Sequence, residues 1–559
     1  MSFVNGLHFN NIRGDIYGGL TAAVVALPLA LAFGVSSGAG PIAGVYGAIF
    51  VGFFAALFGG TPAQVSGPTG PMTVVMALIF TQYTAMFPND PGHGAALAFT
   101  VVVMGGLFQI LFGVIKIGRF IQLVPHPVTS GFMSGIGVII ILLQLGPLLG
   151  HATTGGPLSS AQALPEIFAN PAVYALLLGL LSLAIVYFLP KRINQIIPSP
   201  LVALLAGTGT LLLFIPEGEV SLLGEVPTGL PGLHLPILNL DWSLLTDMVK
   251  SALVLAMLGT IDSLLTSLVA DNITRTHHKS DRELIGQGIG NTVAGLFGGL
   301  PGAGATMRTV VNVHAGGRTP LSGALHALIL LAVVLGAGGL AQYIPHAVLA
   351  GILIKVGTDI IDWDYLKRLR NAPKAGVAIM FVVFFVTVFV DLISAVAIGM
   401  VMASFLFLQR MTDLQVKSIT AINHPHEEAP LTDHEATILG ETKGQILLYH
   451  MEGPLSFGAA KGMVKRWAEF NDYQALVMDL TDVPALDFTA TRAIDDMISD
   501  TLAMKRVVFL VSARPRVMKF LVSQGVIAKL NPNHIHKTRV GALCHAAQIL
   551  DFEPEGCET

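Results

Sequence analysis

The chain has 559 residues, of which 53% are hydrophobic and only 12% charged, and its mean hydropathy is +0.70. Soluble domains carry about 25% charged residues, so this composition excludes an ordinary soluble protein and points to an integral membrane protein. The net charge of −4 selects no partner, and no nucleic acid is expected as one.

The first apolar run is preceded by Asn5, Asn10, Asn11 and Arg13 and lacks a convincing cleavage site, so no cleavable signal peptide is expected. A span needs roughly 20 apolar residues. The runs read as fourteen spans, at 16–36, 41–60, 66–86, 94–118, 124–146, 171–190, 198–215, 245–271, 281–300, 305–318, 321–340, 344–360, 373–391 and 392–412. With the N-terminus inside, the cytoplasmic loops hold Lys116 and Arg119; Lys191 and Arg192; Arg275, Lys279 and Arg282; Arg318; and Lys367, Arg368, Arg370 and Lys374. The opposite loops, about 87–93, 147–170 and 216–242, contain no Lys or Arg. This asymmetry follows the positive-inside pattern, and an even number of spans returns the C-terminus to the cytoplasm.

Two spans are interrupted at their starts. In QVSGPTGPMTVVMALIF (64–80), Gly67, Pro68, Gly70 and Pro71 disfavour helix until about Met72. In LPGAGATMRTVVNV (300–313), Leu300 to Gly304 read as extended or coiled, with helix starting near Ala305 or Thr306. These are the third and tenth spans, equivalent places in two sets of seven, and seven is odd, so the second set is inverted. Broken helices in matched positions of an inverted repeat mark a substrate site near the midplane. A helix N-terminus offers free N–H groups and a partial positive charge, which suits an anion. Thr69 and Thr306 add hydroxyls there.

Asp262 lies mid-span in LVLAMLGTIDSLLTSLVADN (253–272), where an ionised carboxylate requires a cation or a proton. Thr266 is four residues on, on the same helical face. That pair, with backbone carbonyls from Gly304 to Thr306, makes a set of hard oxygens suited to a cation. The alternative is a structural pair of Asp262 with Arg308, or a protonated Asp262 bonded to a neighbouring helix. Arg308, one turn into the tenth span, can attract an anion, neutralise an acid or snorkel to the cytoplasmic side. Pro28 kinks the first span, and the kink can open space for a ligand lined by Phe33.

Residues 413–440 are polar and read as a linker. From 441 to 559, strand-like GQILLYHMEG, YQALVMDLTDV and RVVFLVSA alternate with amphipathic helical stretches, as in a small α/β domain. Cys544 and Cys557 are the two cysteines of the chain, and neither a zinc spacing nor a histidine ligand cluster is visible. No nucleophile–base motif, P-loop or dinucleotide fingerprint is found, so neither an enzyme nor a nucleotide-driven pump is expected.

The run RELIGQGIGNTVAGLFGGLPGAGATMRTVVNVHAGGRTPLSG (282–323) and the N-terminal GDIYGGLTAAVVALPLALAFG resemble the SulP anion transporter family, and the C-terminal domain resembles a STAS domain. The resemblance covers nearly the whole chain. It implies an α-helical polytopic fold of fourteen spans in a 7+7 inverted repeat, with half-helices in spans three and ten. It implies residues 1–412 as the transport domain, a core moving against a gate, a cytoplasmic α/β STAS domain at 441–559, and a homodimer involving that domain. GPTGPMTVVM and LPGAGATMRTVVNV are similar to the signatures of members that carry bicarbonate with Na⁺. Carried over, Thr69 and the amides of Ala305 and Thr306 bind bicarbonate, while Asp262, Thr266, Gly304, Ala305 and Thr306 bind Na⁺, with no other cofactor and a cell inner membrane as the location. Rival readings are an H⁺-coupled carrier of sulfate or another oxyanion, an uncoupled anion channel or exchanger, and a membrane-anchored receptor with STAS output. STAS domains of signalling proteins carry a phosphorylated Ser or Thr after an Asp. Thr489, two residues after Asp487 in ALDFTATRA, is the corresponding phosphosite candidate, although Phe488 and Ala490 depart from the usual pattern.

Overall fold

In the computed structural model, residues 4–559 are described apart from 122–124, 153–155, 195–196, 225–231, 235, 238–240, 391, 426–430, 512–513, 556 and 558–559. Two compact units divide after Val401.

A helix occupies each apolar run, and the last of these helices crosses from the first unit into the second. These are α1 (Ile12–Ser36), α2 (Pro41–Phe58), α3 (Gly70–Met86), α4 (Pro91–Val114), α5 (His126–Leu148), α6 (Val173–Phe188), α7 (Ser199–Phe214), α8 (Trp242–Thr274), α9 (Ser280–Leu296), α10 (Thr306–His314), α11 (Pro320–Ala337), α12 (His346–Ile360), α13 (Lys374–Phe389) and α14 (Leu392–Lys417). Proline opens α2, α3, α4, α5 and α7, where its missing N–H leaves no broken bond. Six of the described helices are long and apolar enough to cross a bilayer unaided: α1, α2, α4, α5, α8 and, within α14, Ser394–Lys417. The stretch 147–170, expected as a loop, contains a helix, Pro157–Ala169, bent by 115° from α6; taken with α6 as one broken span it raises the count to seven.

The helices pack in two groups. α9 lies against α4 and α2, α11 against α1 and α2, and α8 against α4 and α10. Separately, α5 packs on α12 and α13, and α6 on α7 and α12. Without water to drive apolar surfaces together, membrane helices gain from close backbone approach over small residues. The crossing of α4 and α9 shows this: a Cβ on Gly106 would lie 2.4 Å from Thr292 N, and one on Gly288 would lie 2.5 Å from Gly106 O.

The second unit is a five-stranded sheet with helices on both faces. Its elements are β3 (Ile419–Ile422), α15 (Asp433–Glu441), β4 (Ile446–Glu452), α16 (Phe457–Ala468), β5 (Ala475–Asp482), α17 (Phe488–Ala503), β6 (Val507–Val511), α18 (Pro515–Ser523), β7 (Ile535–His536) and α19 (Arg539–Ile549). The strand order is β3-β4-β5-β6-β7, antiparallel at β3 and parallel beyond it. Strand period two sorts the side chains. Leu447, Tyr449, Leu476, Met478, Val508 and Leu510 share one core with α16, α17 and α18, while Ile446, Leu448, Val477 and Phe509 share the other with α15 and α19. Burial on both faces explains why these strands read as continuous apolar runs.

The linker expectation is corrected here. Within 413–440, α14 runs on to Lys417, β3 adds an edge strand to the sheet, and α15 is a capped helix. The Thr432 side chain accepts from Glu435 N, and the Glu435 side chain accepts from Thr432 N, a reciprocal capping box.

Candidate ion-binding site

The two interrupted runs meet. Ser66–Gly67 (β1) pairs antiparallel with Ala303–Gly304 (β2), Ser66 opposite Gly304 and Gly67 opposite Ala303. α3 starts at Gly70 and α10 at Thr306, and neither Thr69 nor Ala305, their N-caps, makes a side-chain capping bond. The first-turn N–H groups of both helices are left to other partners. Gly67 has φ +153°, and a Cβ there would lie 2.6 Å from Arg308 Nη1, so both the backbone and its surroundings require glycine.

Buried side chains hold the breaks open. Gly302 N donates to Asn291 Oδ1 at 2.7 Å, and Asn291 Nδ2 donates to Gly302 O at 2.9 Å. Gly304 N donates to Ser263 Oγ at 3.1 Å, and Gly304 O accepts from Thr266 Oγ1 at 2.9 Å. Val65 N donates to Thr309 Oγ1 at 3.1 Å. The Glu283 carboxylate accepts from Gly60 N, Thr61 N, Gln64 Nε2 and Gln287 Nε2, at 2.8 to 2.9 Å. Gln287 also donates to Ser66 Oγ, and Gln64 accepts from Ser267. Glu283, Gln287, Asn291 and Ser263 are residues that sequence reasoning missed. An acid in the first turn of an apolar run was a usable signal for Glu283; the rest look like ordinary small polar residues until the fold assembles.

Several expected site residues come together. Asp262 is buried in α8, with the Thr69 hydroxyl and the Arg308 guanidinium close to its carboxylate. Asp262 Oδ2, Thr69 Oγ1 and Arg308 Nη1 are all buried without a hydrogen-bond partner. Thr266 Oγ1 lies 2.7 Å from Thr306 Oγ1, and Thr306 is exposed at the start of α10.

Three expectations change. The Ala305 amide is not free for an anion, because it donates to Val65 O at 2.9 Å. Arg308 does not snorkel: it is 2% exposed and its Nη2 donates to the Pro68 carbonyl, tying α10 to the break before α3. Phe33 is buried in α1 and lines neither of the two cavities that other residues of α1 border, so the expectation that it lines a ligand space is not met. One, of about 250 Å³, is lined by Ala32, Ser36, Gln144, His151, Ser221 and His346. The other, of about 790 Å³, lies between α1 and α10 on one side and α6, α7 and α12 on the other, and is lined by Val25, Leu29, Met307, His314, Lys355 and Asp359 among others.

In the second unit, Thr489 is exposed on the first turn of α17, whose N-cap Asp487 accepts from Ala490 N at 2.8 Å. Asp479 is fully buried on β5, with His450 Nδ1 at 2.9 Å, Thr481 N at 3.0 Å and Arg539 Nε at 2.9 Å. Burial alone would raise its carboxyl pKa, but the bonds from His450 and Thr481 and the Arg539 charge outweigh it and hold the group below its ordinary value.

A polytopic helical unit with two broken runs paired through their backbones, followed by a STAS-like sheet, defines a membrane transporter. Residues 12–383 match the sulfate permease family and residues 438–542 the STAS domain, so the chain belongs to the sulfate permease (SulP) family. It is 47% identical over 551 residues to the bicarbonate transporter BicA of Synechocystis sp., covering 98% of this chain and 97% of that protein. The solved transmembrane domain of a cyanobacterial bicarbonate transporter BicA is 52% identical, with a TM-score of 0.66 over 70% of this chain and all of that one. Murine Slc26a9 in its inward-facing state shares the fold at 18% identity, with a TM-score of 0.82 over 97% of this chain and 92% of that one.

Proposed function

We propose that the protein is a Na⁺-dependent bicarbonate symporter of the cell inner membrane. The observation that carries the site is the convergence of unpartnered buried polar atoms, Asp262 Oδ2 and Thr69 Oγ1, beside the uncapped starts of α3 and α10. The near full-length likeness to BicA of Synechocystis supplies the substrate. Helices α1–α14 are read as fourteen crossings in two inverted sets of seven, with both termini cytoplasmic, α3 and α10 as half-helices, and a homodimer joined through the STAS domain.

Na⁺ takes oxygens from Asp262, Thr266, Thr306 and the Gly304 and Ala305 carbonyls. Bicarbonate takes the free first-turn amides of α3 and α10, Thr306 among them, and the Thr69 hydroxyl, with Arg308 contributing positive potential from behind the Pro68 carbonyl. Na⁺ cancels the Asp262 charge, which otherwise repels the incoming anion. The loaded site is then electrically mild, and the helices that carry it shift against α5–α7 and α12–α14. The 790 Å³ cavity is lined by Asn194, His314 and Asp359, near the loops of Lys191, Arg318 and Lys367 that the charge asymmetry assigns to the cytoplasm, and we read it as the inward opening of the pathway. Thr489, exposed at a helix start, is the phosphosite candidate of the STAS domain.

The test is uptake of labelled bicarbonate into proteoliposomes with and without an inward Na⁺ gradient, with sulfate in parallel. Na⁺-dependent bicarbonate accumulation supports the reading, and Asp262→Asn is expected to abolish the Na⁺ stimulation. The family's sulfate carriers favour the second reading, an H⁺-coupled oxyanion transporter. Sulfate uptake driven by a proton gradient and indifferent to Na⁺ would establish it and overturn the first.

A further inference from the structure

Neither cysteine of the chain lies in the transport unit. Both cysteines sit at the end of the STAS unit, in a place that transport does not use. Cys544 lies on α19 and Cys557 in the tail beyond it, and in this structure they form a disulfide. His434, in the first turn of α15, closes the group: one ring nitrogen and the two sulfurs offer three ligand atoms within 4.8 Å of one another, and all three residues are partly buried. His434 Nε2 is buried without a hydrogen-bond partner. The three residues come from sequence positions 110 and 13 apart, which matches no zinc spacing and explains why the sequence showed none.

We propose that His434, Cys544 and Cys557 form a thiol-gated site for Zn²⁺ or a cation of the same borderline-soft d¹⁰ class. In the dithiol form the three residues hold the metal; in the disulfide form the site is closed to it.

The surroundings keep the ligands in place in both forms. α15 is fixed by its Thr432–Glu435 capping box, and Glu435 lies 3.5 Å from Arg539 at the start of α19, so His434 is held against the helix that carries Cys544. Phe552 and Cys557 have contacts besides the sulfur bridge. Gln548 Nε2 donates to Cys557 O at 3.4 Å, Phe552 N donates to Ala547 O at 3.0 Å, and Phe552 and Cys557 pack on the apolar core beneath α19. Reduction therefore frees two thiols while these contacts still hold Cys557 beside α19. A tetrahedral centre with Zn–S of about 2.3 Å needs sulfurs about 3.8 Å apart, a separation that opening the bridge allows within this cluster.

The chemistry balances. On loading, two S–H bonds break and two Zn–S bonds form, the protons pass to solvent, and His434 Nε2 gives its lone pair to the metal; water takes the fourth position. On oxidation by a low-molecular-weight disulfide, the two thiols become one S–S bond, the oxidant's S–S bond is reduced to two thiols, and the metal leaves. The metal and the bridge thus compete for the same two sulfurs, and the site reads the thiol–disulfide balance of its compartment.

The experiment uses the full chain in detergent, reduced and freed of reductant, titrated with Zn²⁺ against a chromophoric chelator and with Co²⁺ as a spectroscopic probe. One equivalent per chain is expected, with a thiolate-to-Co²⁺ charge-transfer band. The chain has no other cysteine, so the thiolate band reports this site alone, whatever metal the histidines elsewhere, such as His534, His536 and His545, bind. Cys557→Ser, in the tail and outside the strands, is expected to lose the equivalent and the band, and His434→Ala to weaken binding at least tenfold. Oxidised glutathione is expected to block binding and a phosphine reductant to restore it. Absence of a stoichiometric equivalent in the reduced wild type, or binding that survives Cys557→Ser or oxidation, would overturn the proposal.

Discussion

Glu283→Gln tests whether the polar scaffold beneath the broken helices is as consequential as its geometry implies. The carboxylate accepts four hydrogen bonds, two on each oxygen: Gly60 N and Thr61 N on Oε2, Gln64 Nε2 and Gln287 Nε2 on Oε1. Glutamine keeps one acceptor oxygen and replaces the other by an NH₂ group. In either orientation two donors then face a donor, in a site 1% exposed. A buried donor left unsatisfied costs about 1–3 kcal/mol, so the substitution is expected to destabilise by about 2–6 kcal/mol. Asp281→Asn, two residues upstream, makes the same chemical change at a 3.8 Å ion pair with Arg119, whose side chain is 62% exposed. Such a pair is worth about 0–1 kcal/mol. The assay is thermal unfolding of the purified protein in one detergent, with both variants side by side, followed by Na⁺ activation of uptake. Glu283→Gln should lower the melting temperature by several degrees and Asp281→Asn by little. Equal melting temperatures for Glu283→Gln and wild type, with unchanged Na⁺ activation, would refute the claim that this carboxylate holds Gln64 and the strand entry in place.

Gly67→Ala should lose transport while the protein still inserts, because the new methyl needs a strained backbone and displaces Arg308; uptake normalised to surface expression measures it. Asn291→Ala leaves the Gly302 N–H and C=O without their partner and should cost about 2–6 kcal/mol, read as a lower melting temperature. Asp479, its pKa held down in the folded state, contributes stability that is complete above the usual carboxyl range and is lost as pH falls through its folded value. Amide exchange of β5 in the full chain should therefore accelerate below about pH 4, and Asp479→Asn should remove that step.

Helix positions were legible because a bilayer demands long apolar stretches and leaves few alternatives. The Asp262–Thr266 pair was legible from helical period alone, and the breaks from glycine and proline. The occupation of the Ala305 amide was not, because its partner, the Val65 carbonyl, arrives from the other half of the chain. The burial of Arg308 was invisible for the same reason, since the Pro68 carbonyl that receives it is 240 residues away. In the STAS unit, ITAI (419–422) is too short and too closely flanked by polar residues to announce an edge strand. The Cys544–Cys557 bridge depends on a tail folding back along α19, which no local pattern records.

The pairing of β1 with β2 also dictates an order of assembly. The first broken run is complete once residue 70 has been made, yet its strand partner and the arginine on its carbonyl come more than two hundred residues later. Until residues 303 and 304 are made, the backbone groups of Ser66 and Gly67 have no strand partner. Only when α10 enters does the chain close the gap. A truncation after α9 is thus an opened wound in the bilayer rather than half a transporter.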